Sequence, residues 1–191
     1  MKAVFLDVDG VIRYNDKLID ECGDLGPRNV IDYSQVKYIP GSLESMCKLS
    51  SSYKLFWITL QNCIARGEAE FATIKAVFNA MRIDLELFAK DYLLDTTHFS
   101  LVQDIGICTS LPTEEDKVRA KYEKVRSFID KYGIWSKDSF GVGDSTHDIL
   151  AFKKAGLKTI QVILPHGDAF ISEADFCATS LEEAASIILG G

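Results

Sequence analysis

Two short segments of this chain concentrate acid where an apolar run stops. In "AVFLDVDGV" the run Ala3–Leu6 leads straight into Asp7 and Asp9, one residue apart. In "SFGVGDSTHD" a second apolar run leads into Asp144 and Asp148. A third run, "KLFWIT", ends on the hydroxyl of Thr59. Carboxylates brought together repel one another unless a cation sits among them, and hard oxygen ligands select Mg²⁺ or a similar ion. A carboxylate beside a bound phosphoryl group can attack phosphorus and form an aspartyl phosphate. A second acid can give a proton to the leaving oxygen and then activate water. On this chemistry Asp7 is the nucleophile and Asp9 the general acid/base. A hydroxyl such as Thr59 and a nearby lysine would hold the phosphate oxygens.

These residues reach one place only if the runs that carry them are neighbouring strands. Short apolar runs at 3–8, 54–59, 104–109, 139–143, 159–164 and 175–179 read as strands, and 41–51, 67–81, 114–132, 146–155 and 181–189 as helices. In "EKVRSFIDKYGI" Val125, Phe128, Ile129 and Tyr132 fall at helical spacing, and Gly133 sits where a helix stops. Strands alternating with helices predict an α/β fold with a doubly wound parallel sheet, covered on both faces. Several strands are uniformly apolar, as double coverage requires. Ligands of such a sheet bind beyond the carboxyl ends of its strands, where Asp7, Asp9, Thr59 and Asp144 all fall. Residues 11–40 are polar and aperiodic, with Gly23, Gly26 and Pro27, and read as a long loop or small insertion near that edge.

Bulk properties narrow the function. The 191 residues suffice for one domain, 1–191, and 47% hydrophobic with 26% charged residues is ordinary for a soluble globular protein. A net charge of -7 disfavours nucleic acid and anionic membrane as partners. No stretch approaches the ~20 apolar residues of a membrane span. The five cysteines, Cys22, Cys47, Cys63, Cys108 and Cys177, are scattered, which predicts reduced thiols and a cytoplasmic setting. Asp7 and Asp9 interrupt the first apolar run too early for a signal peptide.

"DVDGVI", the strand ending in Thr59, a downstream lysine and "GDSTHD" together resemble the four signature motifs of the haloacid dehalogenase superfamily of phosphatases, in the right order. The resemblance implies a Rossmann-like domain and Mg²⁺-dependent hydrolysis of a small phosphorylated metabolite, and the stretches 11–40 and 82–113 read as too short or too strand-like for a large cap. It implies Asp7 as nucleophile and metal ligand, and Asp9 as acid/base with its backbone carbonyl on the metal. Thr59 becomes the phosphate-binding hydroxyl, and Asp144 and Asp148 the acids of the metal site. The motif lysine is sought among Lys117, Lys121 and Lys124, with Arg119 between them. Measured back from Gly133, the spacing seen in phosphatases of the phosphoserine and sugar-acid type implies Lys121, with Lys117 second. Phosphoryl transfer to an acceptor other than water, or binding of a phosphorylated ligand or protein with weak catalysis, are the alternatives.

A narrower stretch, "VKYIPGSLESMCKLSSSYKLFWITLQNCIARG", is similar to histidinol-phosphate and heptose-bisphosphate phosphatases, although the polar pair after Thr59 is displaced to Gln61 and Asn62, and implies substrate contacts from Gln61, Asn62 and Arg66. Those relatives often carry a zinc loop after the third strand. Here Cys108 stands at the first ligand position, but Ser110 and Leu111 follow and no Cys-x-Cys comes later, so a four-ligand zinc site is not expected. His98, His147 and His166 are scattered, and Phe56 and Trp57 read as core.

Overall fold

A computed structural model describes residues 1–20, 23–93, 100–110 and 112–190. Cys22, His98 and Leu111 lie outside the described residues. The strands are β1 (Ala3–Leu6), β2 (Lys54–Leu60), β3 (Val102–Cys108), β4 (Phe140–Gly143), β5 (Lys158–Val162) and β6 (Phe176–Ala178). The helices are α1 (Ser42–Ser50), α2 (Asn62–Ala65), α3 (Phe71–Leu93), α4 (Glu114–Tyr132), α5 (Thr146–Lys154) and α6 (Leu181–Leu189). The six strands form one sheet in the order β3-β2-β1-β4-β5-β6, and every pairing is parallel. This is the doubly wound α/β arrangement read from the sequence. Its order reverses between β1 and β4.

The side-chain alternation of β1 explains why the sheet is covered twice. Val4 and Leu6 point into one core with Leu55, Trp57 and Val142, under α1, α3 and α6. Ala3 and Phe5 point into the other with Phe56, Ile58, Val125 and Phe152, under α4 and α5. Phe5 and Phe56 stack with centroids 5.1 Å apart, and Phe128 and Tyr132 of α4 cover Phe56.

The elements after β2 differ from the sequence reading, which did not expect the short α2. The helix expected over 67–81 starts at Phe71 and runs to Leu93, so much of the segment after residue 81 is helical. Ile74, Val77, Phe78, Met81, Leu85 and Ala89 are all buried. They form a continuous stripe at helical spacing, and no Gly or Pro interrupts it. β3 begins at Val102, two residues before the expected start.

Between β1 and α1 the described chain holds turns, isolated bridges and one 3₁₀ turn, Tyr33–Gln35, capped by Asp32. Tyr33 and Tyr38 both donate to Asp84 of α3. The backbone N–H of Ile39 donates to Ile12 O at 3.0 Å, bringing the chain back to α1.

Candidate active site

The site is built where β1 and β4 part. Asp7 follows β1 directly, and its backbone N–H donates to Val142 O of β4 at 2.8 Å. Asp144 follows Gly143, the last residue of β4. Gly10, at φ +89°, turns the chain beneath the acids, and a Cβ there would lie 2.9 Å from Asp144 Oδ2. Gly143 also has to be glycine, because a Cβ would lie 2.3 Å from Cβ of Asp148. Ser145 caps α5, and Asp148 completes a capping box with it. Asp148 therefore sits in the first turn of α5, turned back toward the strand.

Lys121 of α4 joins the acids. Its ammonium lies 2.6 Å from Asp7 Oδ1 and also pairs with Asp148. All three side chains are nearly solvent-free, at 1%, 7% and 1% exposed for Lys121, Asp7 and Asp148. Burial opposes the charge of Lys121, but Asp148 and Asp7 hold its pKa above the usual lysine range. Burial also works against ionised Asp148, yet Lys121 and the Ser145 hydroxyl hold its pKa below the usual carboxylate range. Asp7 goes the other way. Burial, and then the charge of Asp148, push it well up. Burial and Asp148 likewise push Asp144 to about 6, although Lys17 opposes them.

Thr59, buried in β2, and Gln61 just beyond it face Asp9. Asp9 Oδ2 accepts from Gln61 Nε2 at 2.7 Å and from Thr59 Oγ1 at 3.3 Å. Its Oδ1 accepts from Arg13 Nε at 2.7 Å. A cleft of ≈ 120 Å³ is lined by Asp7, Asp9, Lys17, Lys121, Asp144 and His147, among others. Larger cavities lie beside α4 (≈ 380 Å³) and between α3 and β3 (≈ 470 Å³), but their linings do not bring several acids together. The smaller cleft is the one where acids, the Ser145 hydroxyl and lysines meet.

No protein-family model matches the chain. The sequence is 26% identical over 180 residues to the D-glycero-beta-D-manno-heptose-1,7-bisphosphate 7-phosphatase of Rhodopseudomonas palustris, over 90% of this chain and 88% of that protein. The D,D-heptose 1.7-bisphosphate phosphatase of B. bronchiseptica, solved with magnesium and phosphate, superposes with a TM-score of 0.77 at 22% identity, over 100% of this chain and 99% of its own. A haloacid dehalogenase-like family hydrolase of Streptococcus pneumoniae superposes at 0.56 with 14% identity, over 98% of each chain. In sequence the chain is similar to heptose-bisphosphate phosphatases, and it shares its fold with haloacid dehalogenase-like hydrolases.

Other residues singled out in the sequence fall in different places. Lys117, the second candidate lysine, pairs with Glu114. Arg119 is exposed and pairs with Asp116 at 2.7 Å. Asn62 turns toward Ser110, accepting from its backbone N–H at 2.9 Å. Arg66 lies on the surface, on Glu68 and Asn29. Cys108 is buried at the end of β3, and burial pushes its thiol up to about 11. Arg13, Asn15 and Lys17 were not singled out in the sequence. They come from an aperiodic segment, where no pattern distinguishes an inward polar side chain from a solvated one. A weak signal existed for Arg13, which stands four residues after Asp9.

The donor set fits a hard divalent cation. Asp7, Asp144 and Asp148 are buried and each offers a carboxylate oxygen within 4.8 Å of the others. The protein itself puts a cation against this cluster, with Lys17 Nζ 3.0 Å from Asp144 Oδ2. Asp148 already spends Oδ1 on Lys121 and Oδ2 on Ser145. Asp7 and Asp144 are thus the acids best placed to hold an ion, with Asp148 ordering the set.

Proposed function

We propose that the chain hydrolyses a phosphomonoester of a small metabolite through a phosphoryl group carried on Asp7, with Mg²⁺ held by Asp7, Asp144 and the Asp9 backbone carbonyl. The observation that carries this reading is the buried Asp7–Lys121–Asp148 cluster beside Asp144, with Asp9 across the same cleft. A Mg²⁺ ion there supplies positive charge against which anionic Asp7 can approach an anionic phosphate. Lys121 opposes the rise in the Asp7 pKa that burial and Asp148 cause, and holds the carboxylate in the cleft by its 2.6 Å contact. The Thr59 hydroxyl, which donates to Asp9 Oδ2 at 3.3 Å, holds a phosphate oxygen.

In the first half-reaction an Asp7 oxygen bonds to phosphorus as the bond to the leaving oxygen breaks. Asp9 gives that oxygen its proton. In the second, Asp9 takes a proton from water as the water oxygen bonds to phosphorus, and the Asp7–phosphorus bond breaks. Enzyme, alcohol and inorganic phosphate result, with no other reactant. The relatives' names point to phosphorylated sugars, and a small sugar phosphate is the substrate class we favour.

Turnover of p-nitrophenyl phosphate tests the reading. Activity should vanish in EDTA, return with Mg²⁺ and be absent in Asp7→Asn. Full activity in excess EDTA, or in Asp7→Asn, would overturn it. Complete absence of turnover on this compound and on a panel of sugar phosphates would favour a binding protein.

A further inference from the structure

Arg13 is the least accounted-for charge in the fold. Its side chain is fully buried, at 0% exposed. Among the described residues, Nε donates to Asp9 Oδ1 at 2.7 Å, Nη1 meets only the sulfur of Met81 at 3.6 Å, and Nη2 is buried with no partner. The guanidinium lies over the Phe78 ring, 5.0 Å from its centroid. Leaving a charged donor buried and unpaired is costly, and a core position between an aromatic ring and a thioether would accept an apolar residue more readily. The salient polar contact that the side chain makes is the one to Asp9.

That contact divides the carboxylate. Oδ1 faces the buried arginine. Oδ2 accepts from Gln61 and from Thr59, the hydroxyl proposed above to hold a phosphate oxygen. Phe78 and Met81 belong to the continuous buried stripe of α3, so the guanidinium is packed against a rigid element rather than a loop.

We propose that Arg13 is a positioning residue for catalysis: it holds Asp9 by one oxygen so that the other alone is presented to the leaving group and then to water. Arg13 touches neither substrate nor metal, and it acts through Asp9. The inference rests on the acid/base role of Asp9 proposed above.

The test compares phenyl phosphate with p-nitrophenyl phosphate, which have nearly the same shape. The first leaving group needs a proton far more than the second. Asp9→Asn should lower kcat on phenyl phosphate by roughly 10²-fold or more, within the range that general acid catalysis supplies, and on p-nitrophenyl phosphate by much less. Arg13→Met should reproduce that selectivity with KM little changed. Adding Arg13→Met to Asp9→Asn should bring no further loss, since the group it positions is gone. A purely structural role would lower both substrates equally and add to the loss from Asp9→Asn, and either result overturns the inference. Arg13→Lys keeps a buried cation and serves if Arg13→Met fails to fold. Its loss on phenyl phosphate should fall between wild type and Asp9→Asn, and wild-type activity on both substrates would overturn the inference. Selectivity in Asp9→Asn without it in the Arg13 variants sinks the inference alone. No selectivity in Asp9→Asn sinks the acid/base reading and the inference with it.

Discussion

Replacing Lys121 with Met removes the positive charge of the buried cluster and keeps most of its volume. Asp7 and Asp148 are 7% and 1% exposed, so neither can recover its lost partner from solvent. Breaking a buried ion pair by deleting one partner costs about 3–5 kcal/mol, because the remaining charge is uncompensated. Asp148, whose pKa lies below the usual carboxylate range, is the charge left without its partner, so that range applies. In a protein of this size each kcal/mol lowers the melting temperature by about 2–4 °C, so the fall should be on the order of 6–20 °C. Mg²⁺ should reverse part of it, because the ion supplies charge to the same acids. Binding at a hundred times its Kd stabilises by about 2.7 kcal/mol. The assay is urea unfolding followed by circular dichroism, in EDTA and in excess Mg²⁺. A loss below about 1 kcal/mol in EDTA would show that the three side chains are not the closed cluster described here. A loss that Mg²⁺ does not relieve would separate the cluster from the metal.

Two further expectations follow from the same acids. Asp144 sits at about 6 in the folded protein, raised first by burial, against an ordinary carboxylate value of ~3.9. The folded state thus binds more protons than the unfolded one between these values, and metal-free stability should fall as pH rises from about 4 to about 6, by up to roughly 3 kcal/mol from this group. Saturating Mg²⁺ should flatten that slope in urea titrations across the range, and a flat profile in EDTA would contradict the crowding of the acids. Gly143→Ala places a Cβ 2.3 Å from Cβ of Asp148. It should cost about 1–3 kcal/mol in chemical denaturation and lower kcat by displacing Asp148, whereas unchanged activity would show that Asp148 is not held by this packing.

The sheet was legible because its strands are uniformly apolar runs separated by helices, a pattern that double coverage forces. The juxtaposition of Asp7 with Asp144 followed from that sheet alone, since both end strands that flank its reversal point. Lys121 was harder to single out, because a charged helix offers several lysines. The geometry resolves it physically: Lys121 shares the buried side of α4 with Val125 and Phe128, whereas Lys117 pairs with exposed Glu114. The end of α3 was not legible, since exposed Ile83 and Leu87 interleave with the buried stripe and blur its period. Arg13 and Lys17 were hidden for another reason. Their burial depends on long-range contacts with Asp9, Asp144 and α3, and local pattern carries no trace of those.

Everything in the mechanism passes through the Asp7 carboxylate. The most direct measurement is to trap the phosphoryl group there. Asp9→Asn, slowed in the hydrolytic half-reaction, is mixed with Mg²⁺ and p-nitrophenyl phosphate, quenched in acid and reduced with borohydride, which converts an aspartyl phosphate to homoserine. Peptide mass spectrometry should then find homoserine at position 7 and nowhere else. Turnover with Asp7 unmodified, or with homoserine at another aspartate, would contradict the account.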